Sequence, residues 1–471
     1  MKNTMLKYLL FICLPITLGL EAQTKFASVF GDHMVLQRNT NIKVWGTDAP
    51  NTTVKITASW GVSKSVITDA KGKWYGTLKT TKAGGPYVLE AKGSGNAELN
   101  DILLGEVWLC GGQSNMAMKL KGGPGQHIEG SNDIILNSTN SNLRFFTVNK
   151  AVSETPLNSC VGEWQVSRPK TAAEFSAVGY AFGLRLQKYL GVPVGLISSN
   201  VGGTPAQAWT SKEVIVSEFP EFKKDFSKEI NTKSATVLYN GMIKPLIPFT
   251  LKGAIWYQGE ANRWNAEQYS RLFPAMIKNW RTQWNQGDFP FYFVQLAPYI
   301  HGKEGWVKLQ QAQLKTMLTV KNSGMVVIND IGAKTRIHPP KKKEVGERLA
   351  LWALAKDYEV EGIAYSGPTF KSIKIEKNKA FIRFEEAPLG ITSLEKELTN
   401  FEISDENGKY HPAKAKIIEK GMALQVWSDN VLHPKHVRYA WKSYVEGSLF
   451  NTAGLPASSF CTENWDVILK Q

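Results

Sequence analysis

Cysteine and histidine are scarce in this chain of 471 residues, which holds four cysteines and seven histidines. Cys13 lies in an apolar N-terminal run, and Cys110, Cys160 and Cys461 remain. An odd number of thiols is not a disulfide framework, although one pair is compatible with an oxidising compartment. No CxxC, HExxH or HxH spacing occurs, so we expect no metal site and no cofactor. Cys110 is interpreted as a buried strand residue.

An apolar run long enough to cross a membrane is also missing. The run Tyr8–Leu20 follows Lys2 and Lys7 and precedes a short segment that contains Ala22. A spanning helix needs about 20 apolar residues, so we expect no stable membrane anchor. The charged, apolar and small-residue regions are typical of a secretory signal cleaved after Ala22. Residues 1–22 are therefore predicted to be a signal peptide, and the protein to be periplasmic or secreted.

Negative charge is in short supply, because 41 Asp and Glu face 56 Lys and Arg, a formal net charge of +15. Such a surplus favours anionic partners, for example acidic sugars or a membrane surface. Nucleic-acid binding would need the charge in a patch or a known motif, and the lysines are scattered. The densest run, Lys341–Lys343, is interpreted as the solvated start of a helix. We expect no nucleic-acid partner.

The length predicts two or three domains. Residues 23–103 contain short alternating apolar runs between Asp/Gly turns, which is typical of a small β-sandwich. The DAKGK turn at 69–73 indicates a hairpin. Residues 358–471 return to β-like runs and are predicted to form a second β-rich region.

Residues 104–357 follow a different pattern, in which short apolar runs stop at small or polar residues. These runs are EVWLC (106–110), PVGLISSN (193–200), KGAIWYQG (252–259), FYFVQLAP (291–298) and MVVIND (325–330). Helical periodicity lies between them at 177–191, at 267–284, where Pro274 is expected to interrupt the helix, and at 343–358. Alternating buried strands and helices predict a parallel sheet between helices. Functional residues of such sheets gather beyond the carboxyl ends of the strands.

Two of these strand ends carry the parts of a nucleophile and a base. In GGQSN (111–115), a Gly-Gly turn presents Ser114, whose hydroxyl needs a base to take its proton. A tight strand-to-helix turn also aims backbone N–H groups at a developing oxyanion. In the segment 328–340, His338 precedes two prolines that stiffen the chain, and imidazole titrates in the range a general base needs. No GxSxG occurs, so the usual nucleophile turn of α/β-hydrolases is absent.

Two further strand ends supply possible donors and a carboxylate. Gly202 and Gly203 let the backbone approach a ligand closely, and the WYQGEAN segment (256–262) offers the Gln258 amide and the Glu260 carboxylate. Each feature also has an ordinary structural explanation, as a loop, a turn cap or an ion pair. The catalytic interpretation depends on the set, because four candidate groups stand at four strand ends.

The motifs GGQSNM, GGTPAQAW, WYQGEAN and IHPPKKKEVGERLA together resemble the sialate O-acetylesterase family, within the SGNH-type hydrolases. SVFGDHMVLQRN (28–39) and GLPASSFCTENW (454–465) are similar to the two ends of that family, so the resemblance covers almost the whole mature chain. It implies a flavodoxin-like three-layer catalytic domain at 104–357, flanked by β-rich, sandwich-like regions at 23–103 and 358–471.

The resemblance also implies the roles of individual residues. By motif position, Ser114 is the nucleophile and His338 the base, and the oxyanion donors are the N–H groups of Ser114 and Gly203 with the Gln258 side chain. The wider superfamily often has an aspartate three residues before the histidine, where this chain has Thr335.

The partner of the histidine is therefore open. Asp330 is the first candidate, Glu260 the second, and a Ser/His dyad oriented by a backbone carbonyl the third. Residues interpreted as substrate-binding are Gln113, Asn115, Glu260, Asn262 and Arg263. Arg263 and Arg336 are the alternatives for binding a sugar carboxylate.

The expected activity is that of a carbohydrate esterase, a serine carboxylic-ester hydrolase that removes O-acetyl groups from sialic acids through an acyl-enzyme. The expected partner is an O-acetylated sugar or glycan. An acetylxylan or other polysaccharide acetylesterase is the alternative within the class. A non-catalytic glycan-binding protein, with some of its fifteen tryptophans as stacking platforms, is the alternative from another class.

Overall fold

The computed structural model describes residues 23–227, 229–463 and 465. The predicted signal peptide, residues 1–22, lies outside the described residues. Within those ranges, no helix combines the length and the apolar character that a membrane crossing requires.

The first part of the chain is built from β-strands, as its alternating pattern predicts. Three of these strands form a separate sheet of order β1-β3-β6, whereas β2, β4, β5 and β7 belong to an eleven-stranded sheet that continues through β8 (Asn96–Gly112) into the middle of the chain. On β6 the buried residues alternate with exposed ones, which places Trp74 and Leu78 in the core between the sheets. The strands are β1 Lys25–Phe26, β2 Val35–Gln37, β3 Asn41–Thr47, β4 Thr53–Ala58, β5 Val62–Ile67, β6 Lys73–Lys79 and β7 Gly84–Lys92.

The DAKGK turn forms, but the predicted hairpin is wrong. Gly72 donates to the Asp69 carbonyl at 2.9 Å, which closes the turn. However, β5 pairs with β4 and β6 pairs with β3, so the turn leads the chain from one sheet to the other. A turn signal fixes the local reversal and leaves the pairing of its flanking strands to the packing of the two sheets.

The middle of the chain forms the mostly parallel part of this eleven-stranded sheet, with order β10-β9-β11-β8-β12-β13-β14 and β10 antiparallel at one edge. All five apolar runs predicted to be strands lie in it. The strands are β8 Asn96–Gly112, β9 Asn140–Thr147, β10 Trp164–Ser167, β11 Val194–Asn200, β12 Gly253–Tyr257, β13 Phe291–Val294 and β14 Ser323–Val326.

The strand β8 belongs to both regions. Leu103–Gly105 pair with β2, and Glu106–Gly112 pair with β11. The predicted boundary between residues 103 and 104 therefore falls within one continuous 17-residue strand.

Helices cover both faces of the parallel sheet. Trp108 and Cys110 point into a core shared with α4 and α8, whereas Leu109 points into the core that contains α6 and α7 residues. The helices are α1 Ser114–Ala117, α2 Ser131–Leu136, α3 Pro169–Glu174, α4 Ala177–Leu190, α5 Lys212–Glu218, α6 Ala266–Trp284, α7 Lys303–Thr319 and α8 Lys342–Asp357.

The expected interruption at Pro274 does not occur, because α6 runs through it without a break. Proline removes one N–H donor and crowds the preceding turn. Buried side chains on both sides of it, including Phe273, Ile277 and Trp280, anchor the helix against the sheet, so tertiary packing decides the outcome.

The last part of the chain is β-rich, as predicted. Seven strands form a sheet of order β15-β16-β20-β19-β18-β21-β23, and β17 pairs with β22. Asn329 donates to the Ala457 carbonyl at 2.7 Å, which joins this region to the segment after β14. The strands are β15 Thr369–Glu376, β16 Lys379–Glu385, β17 Ile391–Thr392, β18 Phe401–Ser404, β19 Tyr410–Ile418, β20 Ala423–Trp427, β21 Val437–Tyr439, β22 Phe450–Asn451 and β23 Phe460–Cys461.

Candidate active site

Three of the four predicted motifs begin at the same edge of the parallel sheet. Asn200 at the end of β11 and Tyr257 at the end of β12 both lie opposite Gly112 at the end of β8. The segments that follow these strands therefore start side by side, as expected for carboxyl ends of parallel strands.

The turn after β8 requires glycine. Gly112 has φ of +138°, and a Cβ at this position would lie 2.2 Å from the Tyr257 carbonyl oxygen. Gln113 then donates its N–H to the same carbonyl at 2.9 Å, and α1 begins at Ser114. The half-buried hydroxyl of Ser114 thus sits at the first position of a helix, where backbone N–H groups lack intrahelical acceptors.

The structure brings the predicted nucleophile and base together. Nε2 of His338 lies 2.8 Å from Oγ of Ser114. Burial lowers the pKa of His338 below its usual 6.5, and the nearby positive charge of Lys342 lowers this pKa further. The imidazole is therefore neutral at neutral pH and can accept a proton from the serine.

The segment carrying His338 is held by the backbone of its double proline. The Pro340 carbonyl accepts N–H donors from Glu129 at 3.1 Å and from Lys342 at 2.9 Å. Arg336, one candidate for a sugar carboxylate, is exposed and contacts the His127 ring at 3.0 Å.

Asp330 is not brought to His338. Its two carboxylate oxygens accept from Arg348 at 2.7 and 2.6 Å, and Arg348 also donates to the Val327 carbonyl at 2.8 Å. Across the described ranges, no hydrogen bond joins Asp330 or Glu260 to His338.

Glu260 is buried beneath the nucleophile, with 2% of its surface exposed. Its Oε1 accepts from Nδ2 of Asn115 at 2.5 Å, and burial raises the pKa of the Glu260 carboxyl. Nζ of Lys342 donates to Oδ1 of the same Asn115. Behind Ser114, an amide thus separates a buried carboxylate from a buried ammonium.

Most residues predicted to bind substrate are engaged in hydrogen bonds within the protein. Oε1 of Gln113 accepts from the N–H groups of Gly259 and Ala261 at 3.4 and 3.3 Å. Oδ1 of Asn262 accepts from the N–H of Ala206 at 2.9 Å. Gln113, Asn115, Glu260 and Asn262 are all buried, so their contacts fix the loops around the site.

Arg263 differs from these four because it is half-buried. Its guanidinium donates to the Glu260 carbonyl at 2.8 Å and lies 4.5 Å from the ring centre of the exposed Trp264. A cation stacked on an indole offers both a charge and a flat apolar face.

The predicted oxyanion donors have two different environments. Gly203 is exposed with φ of +72°, and a Cβ on the preceding Gly202 would lie 3.5 Å from Cβ of Ser114, so this backbone borders the nucleophile. Gln258 is fully buried. Its Nε2 donates to the Thr204 carbonyl at 3.2 Å and to Oδ1 of Asn262 at 2.7 Å.

Residues 104–355 match the family model described as carbohydrate esterase, sialic acid-specific acetylesterase. The chain belongs to this family. It is similar to the sialate O-acetylesterases of Homo sapiens, at 30% identity over 93% of this chain and 92% of that protein, and of Pongo abelii, at 29% identity over the same shares.

A solved structure of a carbohydrate acetylesterase from Xanthomonas citri is similar over 94% of this chain and 100% of its own, with a TM-score of 0.87 and 35% identity. The prediction of a carbohydrate esterase, a carboxylic-ester hydrolase with mixed α/β and β-rich regions, is therefore confirmed.

Lys342 was missed by sequence reasoning, and the interpretation of Lys341–Lys343 as a solvated helix start is wrong for its central residue. Lys342 is 1% exposed. Its ammonium also lies 5.3 Å from the ring centre of Tyr257. The spacing of Lys342 in the sequence could have indicated its burial, because Lys342, Val345 and Leu349 recur at the helical period and share the buried face of α8.

The expectation of a metal-free site stays a prediction. Among the residues the structure describes, no group of three or more His, Cys, Asp or Glu could hold a metal ion. Cys110, Cys160 and Cys461 are unpaired thiols, and burial raises the pKa of Cys110, which makes it a core residue with little thiolate.

Proposed function

We propose that this esterase removes O-acetyl groups from sialic acids with Ser114 as nucleophile and His338 as general base. The 2.8 Å contact between His338 Nε2 and Ser114 Oγ is the observation that carries the proposal. It provides the hydrogen-bond reach that a nucleophile and its base need.

The reaction runs in two halves. His338 takes the proton of Ser114 as Oγ attacks the acetyl carbonyl, and the backbone N–H groups of Ser114 and Gly203 donate to the oxyanion. His338 then gives its proton to the leaving sugar oxygen, which leaves an acetyl-enzyme. Water, deprotonated by His338, attacks this ester, and acetate departs as Ser114 regains its proton.

The side chain of Gln258 is proposed as the third oxyanion donor. Both of its amide hydrogens have acceptors in Thr204 and Asn262. Gln258 acts as an oxyanion donor if its amide leaves one of these acceptors when substrate binds, and otherwise it orients the loop that carries Gly203.

We propose a dyad in place of a triad. Both oxygens of Asp330 are engaged by Arg348, and Glu260 bonds to Asn115. Neutral imidazole suffices as a base when its orientation is fixed by the surrounding chain. The double proline restricts the backbone after His338, and the two hydrogen bonds to the Pro340 carbonyl hold it in place.

We propose that the catalytic part has the flavodoxin-like arrangement of SGNH hydrolases. Counted along the chain without the β9–β10 edge, the parallel strands β11-β8-β12-β13-β14 have the order 2-1-3-4-5 of that fold. The divisions 23–103, 104–357 and 358–471 follow from it as proposed domains, with β8 continuous across the first boundary.

The sugar carboxylate is proposed to bind at Arg263, which is half-buried and stacked on Trp264. The net charge of +15 favours an acidic sugar over a neutral one. The charged and apolar N-terminal run supports export to the periplasm or the medium.

The test is acetate release from O-acetylated sialic acids and from acetylated xylan, measured side by side at equal ester concentration. Release from the sialic acids with a higher kcat/KM supports the proposal. Preference for xylan would establish the polysaccharide esterase. Glycan binding without acetate release from either would establish the non-catalytic alternative.

A further inference from the structure

Asn115 links the chain segments that carry Ser114 and His338, in addition to the direct hydrogen bond between those two side chains. Asn115 directly follows Ser114 in α1, and its Nδ2 donates to the carbonyl of Ile337 at 3.1 Å. Ile337 directly precedes His338. One side chain therefore ties the start of α1 to the segment that carries the imidazole.

The orientation of this amide is decided by its other two partners. The ammonium of Lys342 can only donate hydrogen bonds, and a carboxylate such as Glu260 can only accept them. Oδ1 of Asn115 must therefore face Lys342, and Nδ2 must face Glu260 and the Ile337 carbonyl. A flipped amide would place its NH2 donor against the ammonium of Lys342 and its acceptor oxygen against the carboxylate of Glu260.

We propose that Lys342 is a positioning residue of the esterase reaction, which holds the Asn115 amide in the orientation that joins the Ser114 helix to the His338 segment. Lys342 is 1% exposed, and its Nζ bonds to the side chain of Asn115. It acts through Asn115 by geometry and on His338 by its charge, and the inference rests on the proposed Ser/His reaction.

A buried ammonium is costly unless it is paired, so its presence on the core face of α8 needs an explanation. The groups facing it from other elements are Glu260, the Tyr257 ring and His338. From α4, which packs on α8, Arg185 contacts Glu347 at 3.7 Å. The carboxylate of Glu260 is thus the charge that opposes Lys342.

The charge of Lys342 has a measurable consequence. Burial lowers the pKa of Lys342 to about 7, an effect that Glu260 opposes. In the range below pH 6.5 where His338 titrates, Lys342 is therefore protonated, and its charge disfavours the imidazolium. Removing this charge raises the pKa of His338, so the acid limb of kcat/KM moves to higher pH.

The experiment compares the wild type with Lys342→Met, using NMR titration of labelled histidine rings for the pKa of His338 and acetyl-ester hydrolysis for kcat. We expect this pKa to rise by about one pH unit and kcat to fall by roughly 10–100-fold. Lys343→Met is the matched control, because Lys343 is exposed on the same turn, and it should leave both quantities unchanged.

The double variant Lys342→Met/Glu260→Gln covers the case in which Lys342→Met does not fold, because it leaves no unpaired buried charge. It should also lower kcat and raise the pKa of His338. A wild-type pKa of His338, or a wild-type kcat, in the folded variant would overturn the proposal. If the wild-type protein itself releases no acetate, the proposed function fails, while the NMR titration still decides whether Lys342 acts on His338.

Discussion

The strand-end motifs have an open side and a buried side, and the two differ in what their polar groups contact. On the open side, Ser114, His338 and Gly203 have groups directed at each other or at open space. On the buried side, Gln113, Asn115, Gln258, Glu260, Asn262 and Lys342 bond to one another and to backbone. The same short motifs thus supply both the reacting groups and the layer that supports them.

This contrast predicts two kinds of variant, those that lose activity alone and those that lose activity and stability together. A change on the open side should remove chemistry and leave the fold intact, because few internal contacts depend on it. A change on the buried side should lower stability and misplace the reacting groups together, because unpaired buried polar groups are costly.

Ser114→Ala should have the largest effect on turnover. Loss of the nucleophile is expected to lower kcat by roughly 10⁴-fold or more, with the melting temperature of the wild type. Acetate release with a simple acetyl ester measures the loss. Full activity in this variant would show that another group attacks the ester.

Glu260→Gln should come next and should damage both properties. It leaves Lys342 buried without its opposing charge, which is expected to lower the free energy of unfolding by about 3 kcal/mol and kcat by roughly 10–100-fold. Denaturant unfolding and acetate release provide the two values. Glu267→Gln, at an exposed position of α6, is the control expected to change neither.

A fall near 10⁴-fold in Glu260→Gln, comparable to the loss of a triad acid, would instead favour Glu260 as the acid of a triad. In that case the buried layer would take part in proton transfer, and the distinction between the two sides would be lost.

Asp330→Asn should have the smallest effect on turnover. It removes the carboxylate that faces Arg348 and is expected to lower the free energy of unfolding by about 1–3 kcal/mol, with kcat close to that of the wild type. Asp429→Asn, which breaks an exposed pair with Lys414 at 2.7 Å, should cost less than about 1 kcal/mol. A loss of turnover in Asp330→Asn much larger than this stability change would identify a triad acid at Asp330.

Much of the fold was predictable because its signals are local. The five apolar runs that stop at polar residues become strands of one sheet, and the helical periodicity at 177–191 ends at Gly191 in a left-handed conformation. The pairing across the DAKGK turn and the unbroken α6 at Pro274 were not predictable in this way, because packing between distant segments decides them.

The candidate site also contains residues with local sequence signals and residues whose contacts are decided by packing between distant segments. Ser114 and His338 could be singled out as candidates because turn chemistry and proline placement are visible in short segments, and the structure brings the two side chains within 2.8 Å. The engagement of Asp330 with Arg348, and the burial of Lys342 against Asn115, depend on residues far apart in sequence. Only the spacing of Lys342 with Val345 and Leu349 indicated its buried position.

The most direct test of the Ser114/His338 mechanism is labelling with a fluorophosphonate ester, which modifies serine nucleophiles, followed by peptide mass spectrometry. We expect acetate release to fall in proportion to the phosphonate found on Ser114, and His338→Ala to slow this labelling. Acetate release that persists with Ser114 fully modified, or inactivation by phosphonate on a different residue, would contradict it.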